Sequence, residues 1–218
     1  MTKGGSGWDG ELTRSRLVES AERLFAERGV GSVSIREVNR DAGQAPSAVH
    51  YHFGSKEALL KAVLGRLDSV VAEGSRALGN LLLARDEPPT ARELVELAAA
   101  PQISALNADP VRASRWLKIV STLSWRESSR LWPDLNDLIM TLLSRAYPQV
   151  PESERLLRFA IAFGTLSQVL AQVPTDTSEV GQQRRDCYIR ACVDFVTTGL
   201  DGTMILYAKE PVAGELAH

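Results

Sequence analysis

The chain has 218 residues, of which 44% are hydrophobic and 24% charged, the balance of a soluble globular protein long enough to bury a real core. A formal net charge of −2 excludes a molecule that binds polyanions over its whole surface, although residues 1–66 carry ten Lys and Arg against eight Asp and Glu. No secretory leader and no run of about 18 apolar residues stands in the chain, so a cytoplasmic protein without a membrane partner is expected.

The Gly-rich residues 1–10 read as a loose tail. From 11 to 28, Leu17, Val18, Ala21, Leu24 and Phe25 recur at helical spacing, and Gly29 closes the helix. Ser34 and Glu37 then stand as a capping box. Ile35, Val38 and Ala42 give the short helix behind that box an apolar side, and Gly43 ends it. Pro46 opens a second short helix, where its missing N–H costs nothing. In that helix Val49 and Phe53 turn inward. Ser47 and Tyr51 project nearly opposite, with Ala48 and His50 beside them. Two short helices joined by a tight turn, the second showing small and polar groups outward, form a helix-turn-helix.

Ser55 caps a long helix whose stripe is Leu60, Leu64, Leu67, Val71, Leu78 and Leu82, with Gly74 and Gly79 weakening it locally. Pro88-Pro89 breaks the chain and Thr90 caps the next helix, which Pro101 is expected to interrupt. Asp109-Pro110 starts a helix predicted to run to about Leu131, with Ala113, Trp116, Leu117, Val120 and Leu123 on one side. Trp132-Pro133 breaks it, and a helix follows over 133–146. The last two helices are predicted over 152–173 and 178–206. The first of them is apolar nearly all round, and Gly164 in its middle suggests close approach by another backbone. The residues from Pro211 read as loose. The fold class is therefore all-α: a three-helix head at 11–58, and a helical body at 59–207 entered through a long linking helix. Residues 1–10 and 208–218 remain as tails.

Catalytic and cofactor chemistry is missing. His50 and His52 are two apart and point away from one another on a helix, and the third histidine is His218, so no metal face forms. Cys187 and Cys192, five apart, fall on different helix faces and read as small buried hydrophobes. No nucleophile elbow or phosphate-binding loop is present. An enzyme is excluded and no cofactor is expected.

The head instead offers groups suited to duplex DNA. Tyr51 and His52 can donate to phosphates. Lys56 adds charge at a helix N-terminus, and Arg36 is a further phosphate candidate. Gln44, Ser47 and His50 stand where base edges can be met, and Pro46 offers apolar contact to a thymine methyl. The run Ala42-Gly43 followed by Val49-His50-Tyr51-His52-Phe53-Gly54-Ser55-Lys56-Glu57-Ala58-Leu59, with Leu24, Phe25 and Gly29 upstream, resembles the DNA-binding signature of the tetracycline-repressor-like (TetR) regulators. It departs from the usual pattern at Gln44-Ala45, where a β-branched residue and Ser or Thr are common, and at His50, often Tyr.

The resemblance covers about residues 12–66. It implies a homodimeric regulator, most simply a repressor, that leaves a near-palindromic operator when a ligand binds the body. It also implies a four-helix dimer interface built by the last two helices. Phe159, Phe163, Gly164, Tyr188 and Phe195 are its candidates. The body's large apolar groups, Trp116, Trp125, Met140 and Phe163, are candidates for a site taking a small hydrophobic or aromatic effector. Trp116 and Trp125, nine apart, face opposite ways unless their helix breaks. The competing reading is a helical interaction or small-molecule carrier protein without DNA binding.

Overall fold

The computed structural model describes residues 5–174, 176 and 178–209. Among them stand ten helices and no strand: α1 (Gly5–Arg28), α2 (Ile35–Asp41), α3 (Ala48–Phe53), α4 (Lys56–Leu83), α5 (Ala91–Ala108), α6 (Pro110–Val120), α7 (Trp125–Leu131), α8 (Pro133–Ala146), α9 (Glu152–Leu170) and α10 (Glu179–Lys209). α1 to α3 form the head. α4 leaves the head and runs into the body, packing on α1, α3, α5 and α8. α1 also packs along α6, so the head rests on the body in two places.

Helix starts follow local chemistry. Ser34, Thr90 and Ser124 each accept from the backbone N–H three residues on, and the carboxylates of Glu37, Glu93 and Glu127 accept from the cap N–H in return. Those bonds favour the ionised form. Hydrogen bonds from the Ser34 backbone, then the Ser34 hydroxyl and Arg28, hold Glu37 down to about 2. Ser55 caps α4 by accepting from the Ala58 N–H at 3.1 Å. Gly29 and Gly43 close α1 and α2 at φ values of 78° and 64°, a region other residues enter at a cost.

Several expectations are corrected. α1 begins at Gly5, so Gly5–Gly10 belongs to a helix rather than to a tail. Pro101 lies inside α5 without ending it, because its ring is buried against Gly74 of α4. A Cβ on Gly74 would stand 3.1 Å from the Pro101 Cβ and Cγ. Gly79 has a similar reason: a Cβ there would come within 2.5 Å of Leu138 Cδ2 and 3.2 Å of Leu97 Cδ1. These glycines are where α4 lets its neighbours in. The helix expected over 109–131 breaks after Val120, since the Ser124–Glu127 capping box starts α7 afresh.

Arg145 of α8 closes the far end of α4. Its guanidinium donates to the carbonyls of Leu82 at 3.2 Å, Leu83 at 3.1 Å, Asp86 at 3.2 Å and Glu87 at 3.3 Å, and to that of Arg85. These include helix-end acceptors that α4 cannot satisfy itself. Arg145→Met is expected to lower stability by about 1–2 kcal/mol, discounted for partial exposure, with Arg145→Lys recovering only part because it lacks the planar fork. Urea unfolding of the three proteins checks this; equal midpoints would contradict it.

Candidate functional site

The helix-turn-helix is held from behind by one buried amide. Asn39 of α2, 1% exposed, donates through Nδ2 to the Pro46 carbonyl at 2.6 Å and accepts at Oδ1 from the Val49 N–H at 3.1 Å. Its own carbonyl accepts from the Gln44 N–H at 2.8 Å. One residue thus ties α2, the turn and α3 together. Val38, Ala48 and Val49 are buried in the head core with Leu17, Ala21, Phe25 and Leu59. Asp41 at the end of α2 is bound by the Ser20 hydroxyl and by Arg23, both on α1, which lower its pKa in that order. Sequence reading passed over Asn39. Its signal is a polar residue one helical turn after Ile35, on the side where Val38 and Ala42 are buried or half-buried.

With that back fixed, the outward face is defined. Arg36, Pro46, Ser47, His50 and Tyr51 are exposed, Tyr51 to 86%. The Tyr51 ring meets the half-buried His52 edge-on, with centroids 5.1 Å apart. His52 leans toward Phe53, over which the Arg14 guanidinium sits at 5.1 Å. The His50 Nδ1 lies 3.1 Å from the Gly54 carbonyl. A carbonyl only accepts, so Nδ1 is the donor in this contact, and Nε2 is the ring nitrogen left to face outward. Gln44 is half-buried and donates to the Ala42 carbonyl at 3.3 Å, and Ala48 is buried.

Lys56 is anchored at its place on the head. Its ammonium donates to the Val30 carbonyl at 2.5 Å and lies over the Phe25 ring at 5.9 Å. One of its three N–H donors thus pins the α1–α2 loop to the start of α4, and the side chain stays half-buried. The first-turn N–H groups of α4 add a favourable field toward an anion beside it.

Within the body, a cleft of about 60 Å³ opens between α7, α8 and α9, lined by Ser128, Ser129, Trp132, Leu135, Asn136, Ile139, Phe159 and Phe163. The Trp132 indole N–H donates to Asp68 of α4, and burial raises the Asp68 pKa despite that bond. The cleft wall is therefore tied to the helix that begins at the head. Of the expected ligand residues, Phe163 lies on the wall. Trp116 is buried beside Trp132, with ring centroids 6.5 Å apart, and belongs to the core. Met140 packs against the core and does not line the cleft. The Trp125 side chain lies outside the described residues. Trp132 and Asn136 were missed because they flank the Trp-Pro break, where sequence shows only the end of one helix and the start of another.

On the outer side of α9 and α10, Leu157, Ile161, Tyr188 and Phe195 are exposed, and no atom lies within 4 Å of a Cβ built on Gly164. Among the described residues, therefore, no backbone makes the close approach expected at Gly164. Phe159 is corrected out of the interface set: it is 2% exposed and stacks on Phe163 of the same chain at 6.4 Å. Cys187 is exposed and Cys192 buried, so only one of the two fits the expected core role. Among the described residues no helix is long and apolar enough to cross a membrane, and no three potential metal ligands cluster.

A braced helix-turn-helix carried on a helical body defines the class, an all-α helix-turn-helix protein. Residues 17–63 match the family described as bacterial regulatory proteins, tetR family. The chain is 31% identical over 125 residues to the HTH-type transcriptional regulator BetI of Rhizobium meliloti, covering 55% of this chain and 56% of that one. It is 27% identical over 159 residues to BetI of Brucella anthropi, with coverage of 71% and 77%. The match thus spans about half the length of the first of these curated relatives. A solved structure, a putative tetR family transcription regulator from Shewanella sp. PV-4, is similar in fold, with a TM-score of 0.51 at 15% identity, covering 84% of this chain and 97% of that one. Both curated relatives carry the name of transcriptional regulators.

Proposed function

We propose that the chain is a sequence-specific DNA-binding regulator of transcription. In this reading it is a repressor that leaves a palindromic operator when a small hydrophobic or aromatic molecule enters the cleft. The observation that carries this is the outward face of α3: Ser47, His50 and Tyr51 stand exposed on a helix whose back is fixed by Asn39 and Val49. Residues 11–58 act as the reading head, extended backward by the start of α1, and 59–207 as the effector and dimer body. Arg36, Tyr51 and the first turn of α4 hold phosphates, and His52 steadies Tyr51. Ser47, His50, Gln44 and Pro46 meet the bases.

Two copies joined through α9 and α10 would set two heads about one helical turn of DNA apart. The mechanism then runs through α4. A ligand against Trp132 shifts the indole that holds Asp68, and a shift of α4 changes the spacing of the heads. This works only to the extent that ligand prefers the displaced state.

Titration of duplex DNA from 50 to 200 mM salt tests the reading. Arg36→Ala is expected to weaken binding to all sequences and to reduce the salt slope by about one. Ser47→Ala or Gln44→Ala is expected to change base preference, by roughly 1–3 kcal/mol where the side chain makes a good bond to a base edge. A folded Arg36→Ala/Tyr51→Ala protein with unaltered affinity would reject the assignment. The carrier reading predicts no salt-dependent affinity for duplex at all.

A further inference from the structure

We infer that the cleft selects an uncharged molecule with an apolar body and one hydrogen-bond donor, and that the Asn136 carbonyl oxygen is the acceptor that selects it. The inference rests on the cleft being the effector site. Leu135, Ile139, Phe159, Phe163 and the Trp132 ring make its wall apolar, and no Lys, Arg, Asp or Glu lines it. A charged ligand would lose its hydration there with nothing to replace it. Ser128, Ser129 and Asn136 are its polar residues, and Asn136 stands apart from the two serines. Asn136 Oδ1 is buried without a hydrogen-bond partner. A buried acceptor left unpaired is destabilising, and native proteins keep few of them without a use. A carbonyl oxygen can only accept, so the group that completes it is a donor: a hydroxyl, an amide N–H or a ring N–H. Asn136 sits one turn into α8, four residues after Trp132. A ligand bonded to it would therefore lie against the indole that holds Asp68 on α4.

Phenol and toluene are a matched pair for the test, equal in shape and differing by the donor. Calorimetric titration of the full-length protein measures both, against wild type and Asn136→Leu. The phenol-to-toluene affinity ratio is expected to fall roughly tenfold in the variant, as for one buried hydrogen bond removed. Asn136→Leu should melt at or above the wild-type temperature, since it removes an unpaired polar atom and keeps the side-chain volume. A ratio unchanged within about twofold overturns the proposal, as does absence of binding by either compound at millimolar concentration. A variant that fails to fold, or melts well below wild type, would mean that the amide serves the protein's own structure and would likewise overturn it. Duplex affinity without any compound is read separately, so the regulator assignment can stand while this one falls.

Discussion

Placing aspartate at both Ile161 and Phe195 is expected to leave the protein folded but monomeric, and to cost ~10²–10⁴-fold in affinity for a full palindromic operator. Ile161 is 60% exposed and Phe195 74% exposed in the single chain, and they share a groove between α9 and α10 with Leu157 and Thr165. Large apolar side chains this open, on adjacent helices, call for a cover. Gly164 beside them leaves room for one to approach closely. In a two-fold dimer each residue meets the same surface on the partner, so two substitutions place four carboxylates in one interface. Neither position belongs to the chain's own core, and the monomer should therefore keep its fold. The affinity loss arises because the second head no longer binds at the effective concentration set by the dimer. Sedimentation and operator titration check both halves. A half-site duplex should bind wild type and variant about equally. A variant still dimeric at micromolar concentration would contradict the assigned face.

Asn39→Leu is expected to destabilise the head by roughly 2–4 kcal/mol, a large effect for a single polar substitution. Asn39 provides one donor and one acceptor, to the Pro46 carbonyl and the Val49 N–H, and Val49 is fully buried. Leucine keeps the volume and removes both partners at once. The Val49 N–H cannot reach water without opening the turn, so the penalty is that of a buried unpaired donor as well as a missing bond. Asn39→Asp should recover only part, since it restores the acceptor for Val49 but offers no donor to Pro46. Differential unfolding and hydrogen exchange at Val49 measure this directly. Operator affinity should fall with the population of the ordered turn. Protection at Val49 equal to wild type would show that the amide is not the brace.

The sequence by itself determined the features whose causes lie within about four residues. The capping boxes at Ser34, Thr90 and Ser124 rest on bonds between residues three apart, so their residues read directly as helix starts, and the Ser55 cap reads in the same way. Gly29 and Gly43 mark helix ends because the backbone turns left-handed there. The Ser124 box was as legible as the others, and passing over it produced the one overlong helix. The outward set of α3 followed from helical period alone, since Val49 and Phe53 fix which side is buried.

What only the tertiary structure decided depends on partners distant in the chain. Lys56 reaches the Val30 carbonyl, 26 residues away, a partner that its place at a helix start does not reveal. Trp132 finds Asp68, 64 residues away, turning an apparent helix break into a link between cleft and α4. Phe159 and Ile161 are near neighbours on one helix of apolar residues. The packing of α9 puts the first in the core and the second on the outer face. Pro101 stays inside a helix because Gly74 of another helix stands opposite it. Lys56, Trp132 and the apolar residues of α9 each have several staggered side-chain directions of similar energy. The angle at which two helices cross selects among them, and that angle is a property of the whole core rather than of any local stretch.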